Sequence, residues 1–151
     1  MSTFPCQAPD GATPPEQDTV SVVITPRMSD IGNFQVHRAL PSRQMRMIGP
    51  FIFWDQMGPG EFLSGTGLDV RPHPHIGIST VSYLFRGSMD HRDSLGSHQT
   101  IRPGDVNLMR AGRGIVHSER TGAAERKSRS ELFGIQSWLA LPAPLEDAEP
   151  A

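Results

Sequence analysis

Thr100-Ile101-Arg102-Pro103-Gly104-Asp105-Val106-Asn107-Leu108-Met109-Arg110-Ala111-Gly112-Arg113-Gly114-Ile115-Val116-His117-Ser118-Glu119 is the stretch from which the fold can be read. Pro103 and Gly104 suit positions i+1 and i+2 of a type II turn, where a glycine takes the positive φ at little cost. That turn divides two β-prone runs, residues 98–102 and 105–110, and Ala111-Gly112-Arg113-Gly114 reverses the chain again into residues 115–120. Three short strands joined by tight reversals make an antiparallel meander. The third carries His117-Ser118-Glu119, two potential metal ligands two residues apart, and the period of two along a strand points both to the same face.

The same spacing recurs upstream in His73-Pro74-His75. Pro74 has no N–H to give to a ladder, so a strand that contains it belongs at a sheet edge or barrel rim. An isolated His-x-His is as often a surface or hydrogen-bonded core pair as a ligand pair. Two such triplets in strand context instead suggest one shared site, with His73, His75, His117 and Glu119 offering three imidazoles and a carboxylate to a single ion. Imidazole suits Fe, Zn, Ni, Cu or Mn, and one added carboxylate favours a divalent ion with room for exogenous ligands. His37, His91 and His98 lack a comparable partner, except that Asp93 follows His91 at the same spacing. His91-Arg92-Asp93 reads as a hydrogen-bonded approach to the turn at Asp93-Ser94-Leu95-Gly96.

Further β-prone runs cover residues 20–25, 34–40, 47–56, 77–85, 88–92 and 131–141, separated by turn signals such as Gly58-Pro59-Gly60 and Thr121-Gly122-Ala123-Ala124. Eight or nine strands at this spacing predict an all-β antiparallel sandwich or barrel with little helix. Helical periodicity is confined to residues 123–131. Residues 1–18 are Pro-rich and polar and are expected to be a disordered tail, residues 19–142 the folded domain, and the Pro-rich, acidic residues 143–151 a flexible tail.

At 151 residues the chain suits one core, and 36% hydrophobic and 20% charged residues with a net charge of -2 describe a globular protein with no electrostatic pull toward nucleic acid or anionic membrane. Its basic residues are scattered from Arg27 to Arg129, not clustered into a phosphate-binding stripe. The single cysteine, Cys6, supports no disulfide framework, and no leader-like or membrane-spanning apolar run is evident, so a cytoplasmic location is expected. Gly-x-Ser-x-Gly is absent, and Gly112-Arg113-Gly114 lacks the spacing of either a dinucleotide or a phosphate loop.

The run His73-Pro74-His75-Ile76-Gly77, the segment His91-Arg92-Asp93-Ser94-Leu95-Gly96 and the long motif from Thr100 to Glu119 together resemble the pirin family of the cupin superfamily. Arg38-Ala39-Leu40-Pro41-Ser42-Arg43 and Gly49-Pro50-Phe51 with Asp55 add to the likeness, which covers residues 20–142 and matches the N-terminal domain of pirins. The resemblance implies a single cupin barrel, a double-stranded β-helix or jelly roll. It implies that His73, His75, His117 and Glu119 are the four metal ligands, with iron, Fe(2+), as the ion and Ni, Mn, Co or Zn as alternatives. It further implies a flavonol such as quercetin and O2 as substrates of a quercetinase-type dioxygenase. For such a reaction Glu119 is expected to detach from the ion and serve as the catalytic base, and Phe51 and Phe53 are expected to line the pocket. The alternative within the same family is a non-enzymatic, redox-sensitive, iron-dependent transcriptional co-regulator that binds a protein partner.

Three departures from the family pattern stand out. Ser79 occupies the place where a glutamate is usual and is expected to alter the surroundings of the ligands. Arg110 stands where a small hydroxyl residue is usual and is expected to change the charge at the site entrance. Pirins commonly hold two cupin domains, whereas the likeness here spans one, so a homodimer or contact with a second cupin domain is expected to cover an apolar face.

Overall fold

Ten antiparallel strands build two facing sheets in the computed structural model, which describes residues 20–151. The expected disordered tail, residues 1–18 with Cys6, lies outside the described residues. In chain order the strands are β1 (Arg27–Asp30), β2 (Gln35–Leu40), β3 (Phe51–Phe62), β4 (Asp69–His75), β5 (Ile78–Arg86), β6 (Met89–Asp93), β7 (His98–Ile101), β8 (Val106–Arg110), β9 (Ile115–Arg120) and β10 (Ser130–Ala140). One sheet has the order β1-β2-β3-β10-β5-β8 and the other β4-β9-β6-β7. This is the jelly-roll barrel of a single cupin.

Apolar side chains fill the space between the sheets at both ends. Val36, Met57, Leu68, Leu84, Met89, Ile101 and Leu132 form the larger cluster, and Met109, Ala111 and Ile115 with Ile78 form a smaller one. Burying each of the larger side chains contributes about 1.5–3 kcal/mol relative to leaving it in water. Along β9 the residues pass from Ile115 in the small cluster to His117 and Glu119, so polar side chains occupy the interior between the two apolar ends.

Several elements differ from the sequence reading. Residues 20–25 form no strand, and Val20 and Val23 are each 76% exposed, because the edge of the six-stranded sheet is taken by β1 pairing with β2. Gly58-Pro59-Gly60 is not a turn. β3 continues through it to Phe62 with a register shift against β10 between Leu132 and Gly134, so the extra residue is a bulge at which Gly58 takes φ 70°. A Cβ on Gly58 would collide with the Leu132 carbonyl. Helix in residues 123–131 is limited to a 3-10 turn at Glu125–Lys127.

Residues 143–151, expected to be a flexible tail, contain the short helix α1 (Ala143–Glu146) and then lie against β8. Arg110 N–H donates to Ala151 O at 2.7 Å and Ala151 N–H to Arg110 O at 3.0 Å, while Arg113 N–H reaches Ala148 O at 2.9 Å. Composition missed this because an edge strand supplies unpaired backbone groups that even an acidic, Pro-rich segment can satisfy. The turn at Pro103-Gly104 is as expected, with Gly104 at φ 96° and Asp105 N–H closing onto Arg102 O at 3.0 Å. No helix among the described residues is long and apolar enough to cross a membrane.

Candidate metal centre

β4 and β9 bring the two triplets together. They pair with His73 opposite His117 and His75 opposite Ile115. Between Val70, which pairs with Glu119, and His73 the register shifts by one residue, so Val70 and His73 both point inward despite their odd separation. Pro74 sits on β4, an edge strand of its sheet, where its missing N–H costs nothing.

The ring centroids of His73 and His75 are 4.9 Å apart, those of His73 and His117 4.4 Å, and those of His75 and His117 4.9 Å. Each of the three can offer a nitrogen within 4.8 Å of the other two. His73 donates from Nδ1 to the Arg71 carbonyl at 2.9 Å, since that oxygen can only accept, and its Nε2 keeps a free lone pair. His117 Nε2 is buried with no hydrogen-bond partner among the described residues. A buried imidazole nitrogen without a partner is costly in a neutral interior and is the natural state of a ligand atom facing a cation. The donor set therefore fits a divalent ion with N and O ligands.

Glu119 is 3% exposed and lies one step further in. Gln136 donates to its Oε1 at 2.6 Å and Ser82 Oγ lies 3.4 Å from the same oxygen. Its closest grouping is with His117 and His91, whose nitrogens and its own oxygen fall within 4.8 Å of one another. His117 is thus common to both groups. The structure brings His73, His75 and His117 into one cluster and joins Glu119 to it through His117.

Burial opposes charge on His75, His117 and Glu119 when no ion is bound. Burial, then the neighbouring His73, His75 and His91, lowers His117 to about 3, and burial followed by His73 lowers His75 to about 4. Burial pushes the Glu119 carboxyl above its ordinary range, against the bond from Gln136. A divalent cation would reverse that last effect by favouring the carboxylate.

Several residues that sequence reasoning passed over matter here. His91, set aside as part of a turn approach, is 3% exposed and inward-facing, with Nδ1 3.4 Å from His117 Nδ1 and Nε2 3.1 Å from Asp93 Oδ2. The turn reading of Asp93 holds as well, since its Oδ1 accepts from Leu95 N–H and Ser97 N–H. Burial raises the Asp93 carboxyl, but the bonds from His91, Ser97 and Leu95 together bring it below its ordinary value. Gln136 and Trp138 stand two apart on β10, and the period of two that picked out the triplets would have paired them. Trp138 stacks on Phe53 at 4.1 Å and meets His75 edge-on at 5.0 Å.

Ser79 and Arg110 do not act as expected. On β5 it is Ser82, of opposite parity to Ser79, that reaches Glu119, because alternate residues face opposite sides of the sheet. Arg110 Nε donates to Glu149 O at 3.2 Å and so serves the docked C-terminal segment. Phe53 lines the cavity beside Glu119, whereas Phe51 packs edge-on against Trp54 at 5.5 Å.

A second cavity of about 740 Å³ opens over His73 and His75 and is walled by Ile52, Ile76, Ile78, Ile115 and Trp138. It is large enough for a small aromatic ligand and mostly apolar.

A family model described as Pirin matches residues 33–139. A pirin-like protein of Caulobacter vibrioides is 50% identical over 135 residues, covering 87% of this chain and 46% of that protein. A Pseudomonas aeruginosa protein named as a candidate quercetin 2,3-dioxygenase is 49% identical over 129 residues, covering 85% of this chain and 40% of its own. The crystal structure of a quercetin 2,3-dioxygenase from Acinetobacter baumannii superposes with a TM-score of 0.79 at 46% identity, covering 84% of this chain and 42% of that one. The chain spans less than half the length of these relatives.

Proposed function

The chain belongs to the pirin family, and on that premise we propose that its barrel is the metal-binding domain of a non-haem iron dioxygenase that opens the heterocyclic ring of flavonols such as quercetin. His73, His75, His117 and Glu119 would hold the ion. The observation that carries the reading is the convergence of three imidazoles below an apolar cavity, with His117 Nε2 buried and without a hydrogen-bond partner among the described residues. Bound there, Fe(II) would supply Lewis acidity toward a flavonol hydroxyl and a redox partner for O2.

The chain's own residues have defined tasks in this reading. Ile52, Ile76, Ile115 and Trp138 receive a flat aromatic substrate and exclude water from the reacting face. Glu119 would accept the flavonol hydroxyl proton at a carboxylate oxygen on leaving the ion, the step that makes it both ligand and base. Gln136 and Ser82 hold that carboxylate in place. The stacked Phe53 behind Trp138 keeps the indole against His75.

The test is anaerobic loading with Fe(II), followed by O2 uptake and carbon monoxide release in the presence of quercetin. The reading requires both gases to change in step with loss of the flavonol absorbance. Stoichiometric iron with no O2 uptake would instead favour the family's non-enzymatic, iron-dependent regulatory role.

A further inference from the structure

We infer that Asp93 and His91 form a positioning pair that fixes the tautomer of His117, so that its Nε2 carries the lone pair. This rests on the reading of His117 as a metal ligand. The starting point is a chain of three buried side chains, Asp93, His91 and His117, drawn from two adjacent strands of one sheet.

The proton assignment follows from what each atom can do. Asp93 Oδ1 already accepts from Leu95 N–H at 2.9 Å and Ser97 N–H at 3.1 Å, which leaves Oδ2 as the acceptor that faces His91 Nε2 at 3.1 Å. A carboxylate only accepts, so His91 Nε2 carries hydrogen. In the neutral imidazole the other nitrogen, Nδ1, is then an acceptor. It faces His117 Nδ1 at 3.4 Å, and two acceptors would leave that contact without a hydrogen, so His117 carries its hydrogen on Nδ1. The consequence is a bare Nε2 on His117, the buried atom with no hydrogen-bond partner among the described residues.

The fold holds this chain in register. Asp93 is the direct Cα partner of His117 between β6 and β9, and His91 is the partner of Glu119. The turn that follows is tied to β9 next to His117 by two bonds, Ser94 N–H to Val116 O at 2.8 Å and Val116 N–H to Ser94 Oγ at 3.2 Å. The side chains of His91 and Asp93 are 3% and 5% exposed, so water does not compete for these bonds. His73 reaches the same tautomer through the Arg71 carbonyl. An imidazole acceptor does for His117 what a backbone carbonyl does for His73, and such supports commonly tune metal affinity by about 10–100-fold.

Asp93→Asn inverts the chain without removing an atom. The amide oxygen stays with Leu95 and Ser97 N–H, and the NH2 then faces His91 Nε2, which must become an acceptor. The His91 hydrogen moves to Nδ1, and His117 must accept it there and carry its own hydrogen on Nε2, where it blocks coordination. The experiment is long-range 1H–15N NMR of the imidazoles in metal-free protein at neutral pH, paired with titration by cobalt(II) alone. Wild type is expected to show His117 protonated at Nδ1, and D93N at Nε2 with cobalt affinity weakened by about 10–100-fold. His91→Phe, which removes the acceptor and leaves Asp93 intact, is expected to weaken affinity similarly, and D93N added to it should cost nothing more, because Asp93 acts through His91.

A wild-type His117 protonated at Nε2 would overturn the inference, as would D93N and H91F losses that add, or cobalt bound through His91. Wild type that has His117 protonated at Nδ1 but takes up no cobalt would uphold the pair and refute the metal centre.

Discussion

His73 on β4 and His117 on β9 are direct Cα partners in an antiparallel ladder, and their rings lie 4.4 Å apart, centroid to centroid. Two imidazoles at that separation cannot both be charged without repulsion, and burial favours the neutral form of His117. The arrangement is therefore unfavourable for protons and favourable for one shared cation. Its pH dependence, metal dependence and mutational response follow from that relationship.

The metal-free protein should show opposite pH trends at the two kinds of ligand. His117 falls from 6.5 unfolded to about 3 folded, so below about pH 6.5 the unfolded chain takes up a proton that the folded chain refuses, and stability drops as pH falls. Glu119 is raised from 4.5, so the folded chain keeps a proton that the unfolded chain releases, and its contribution declines as pH rises through the folded value. His117→Asn should therefore gain on wild type between pH 7 and pH 4, and Glu119→Gln should gain as pH rises above the ordinary carboxylate value of 4.5. Urea midpoints across pH read both; curves parallel to wild type would contradict the assignment.

Metal should stabilise the fold in proportion to its binding. Fe(II) or Ni(II) at a hundredfold excess over the dissociation constant adds about 2.7 kcal/mol. A thermal melt should rise with added metal, fall back with a chelator and show no such rise in His117→Ala. A rise that survives in His117→Ala would place the ion elsewhere.

In the iron-loaded protein, Glu119→Gln should cut turnover of quercetin by about 10²-fold or more, the usual worth of a positioned general base. Steady-state O2 uptake measures it, with bound iron quantified alongside. Loss of turnover at unchanged iron content assigns Glu119 to proton transfer, and unchanged turnover removes it from that role.

Away from the ligands, Arg38 pairs with Asp55 through two bonds of 2.8 and 2.7 Å and covers the Phe53 ring at 4.4 Å. Asp55 is 4% exposed, so Arg38→Ala leaves a buried carboxylate unpaired and should cost about 3–5 kcal/mol. Chemical denaturation checks this. The effect should reach the site through Phe53 and Trp138 as a raised KM for flavonol, and an unaltered KM would show the stack to be only structural.

Much of this was legible in the residues, and the limits have physical causes. The alternation of side chains along a strand selected His73, His75, His117 and Glu119, and Pro103-Gly104 located a turn because its backbone demands are local. Gly58-Pro59-Gly60 misled because a glycine with positive φ serves a bulge as well as a turn, and only the pairing of β3 with β10 distinguishes them. Only the His73-Pro74-His75 end of β4 was read as strand, at an edge, since its two prolines and charged residues weaken the β signal over the rest. The inward role of His91 depends on the pairing of β6 with β9, a contact between distant segments that no local pattern encodes.

X-ray absorption at the iron edge of the protein loaded with one equivalent of Fe(II) tests the central claim most directly. The account predicts a single bound ion with imidazole scattering from three histidines and an oxygen from Glu119, the imidazole signal falling by about one third in His117→Ala should the remaining ligands retain the ion. An ion with an all-oxygen shell, or one whose spectrum is untouched by loss of His117, would contradict it.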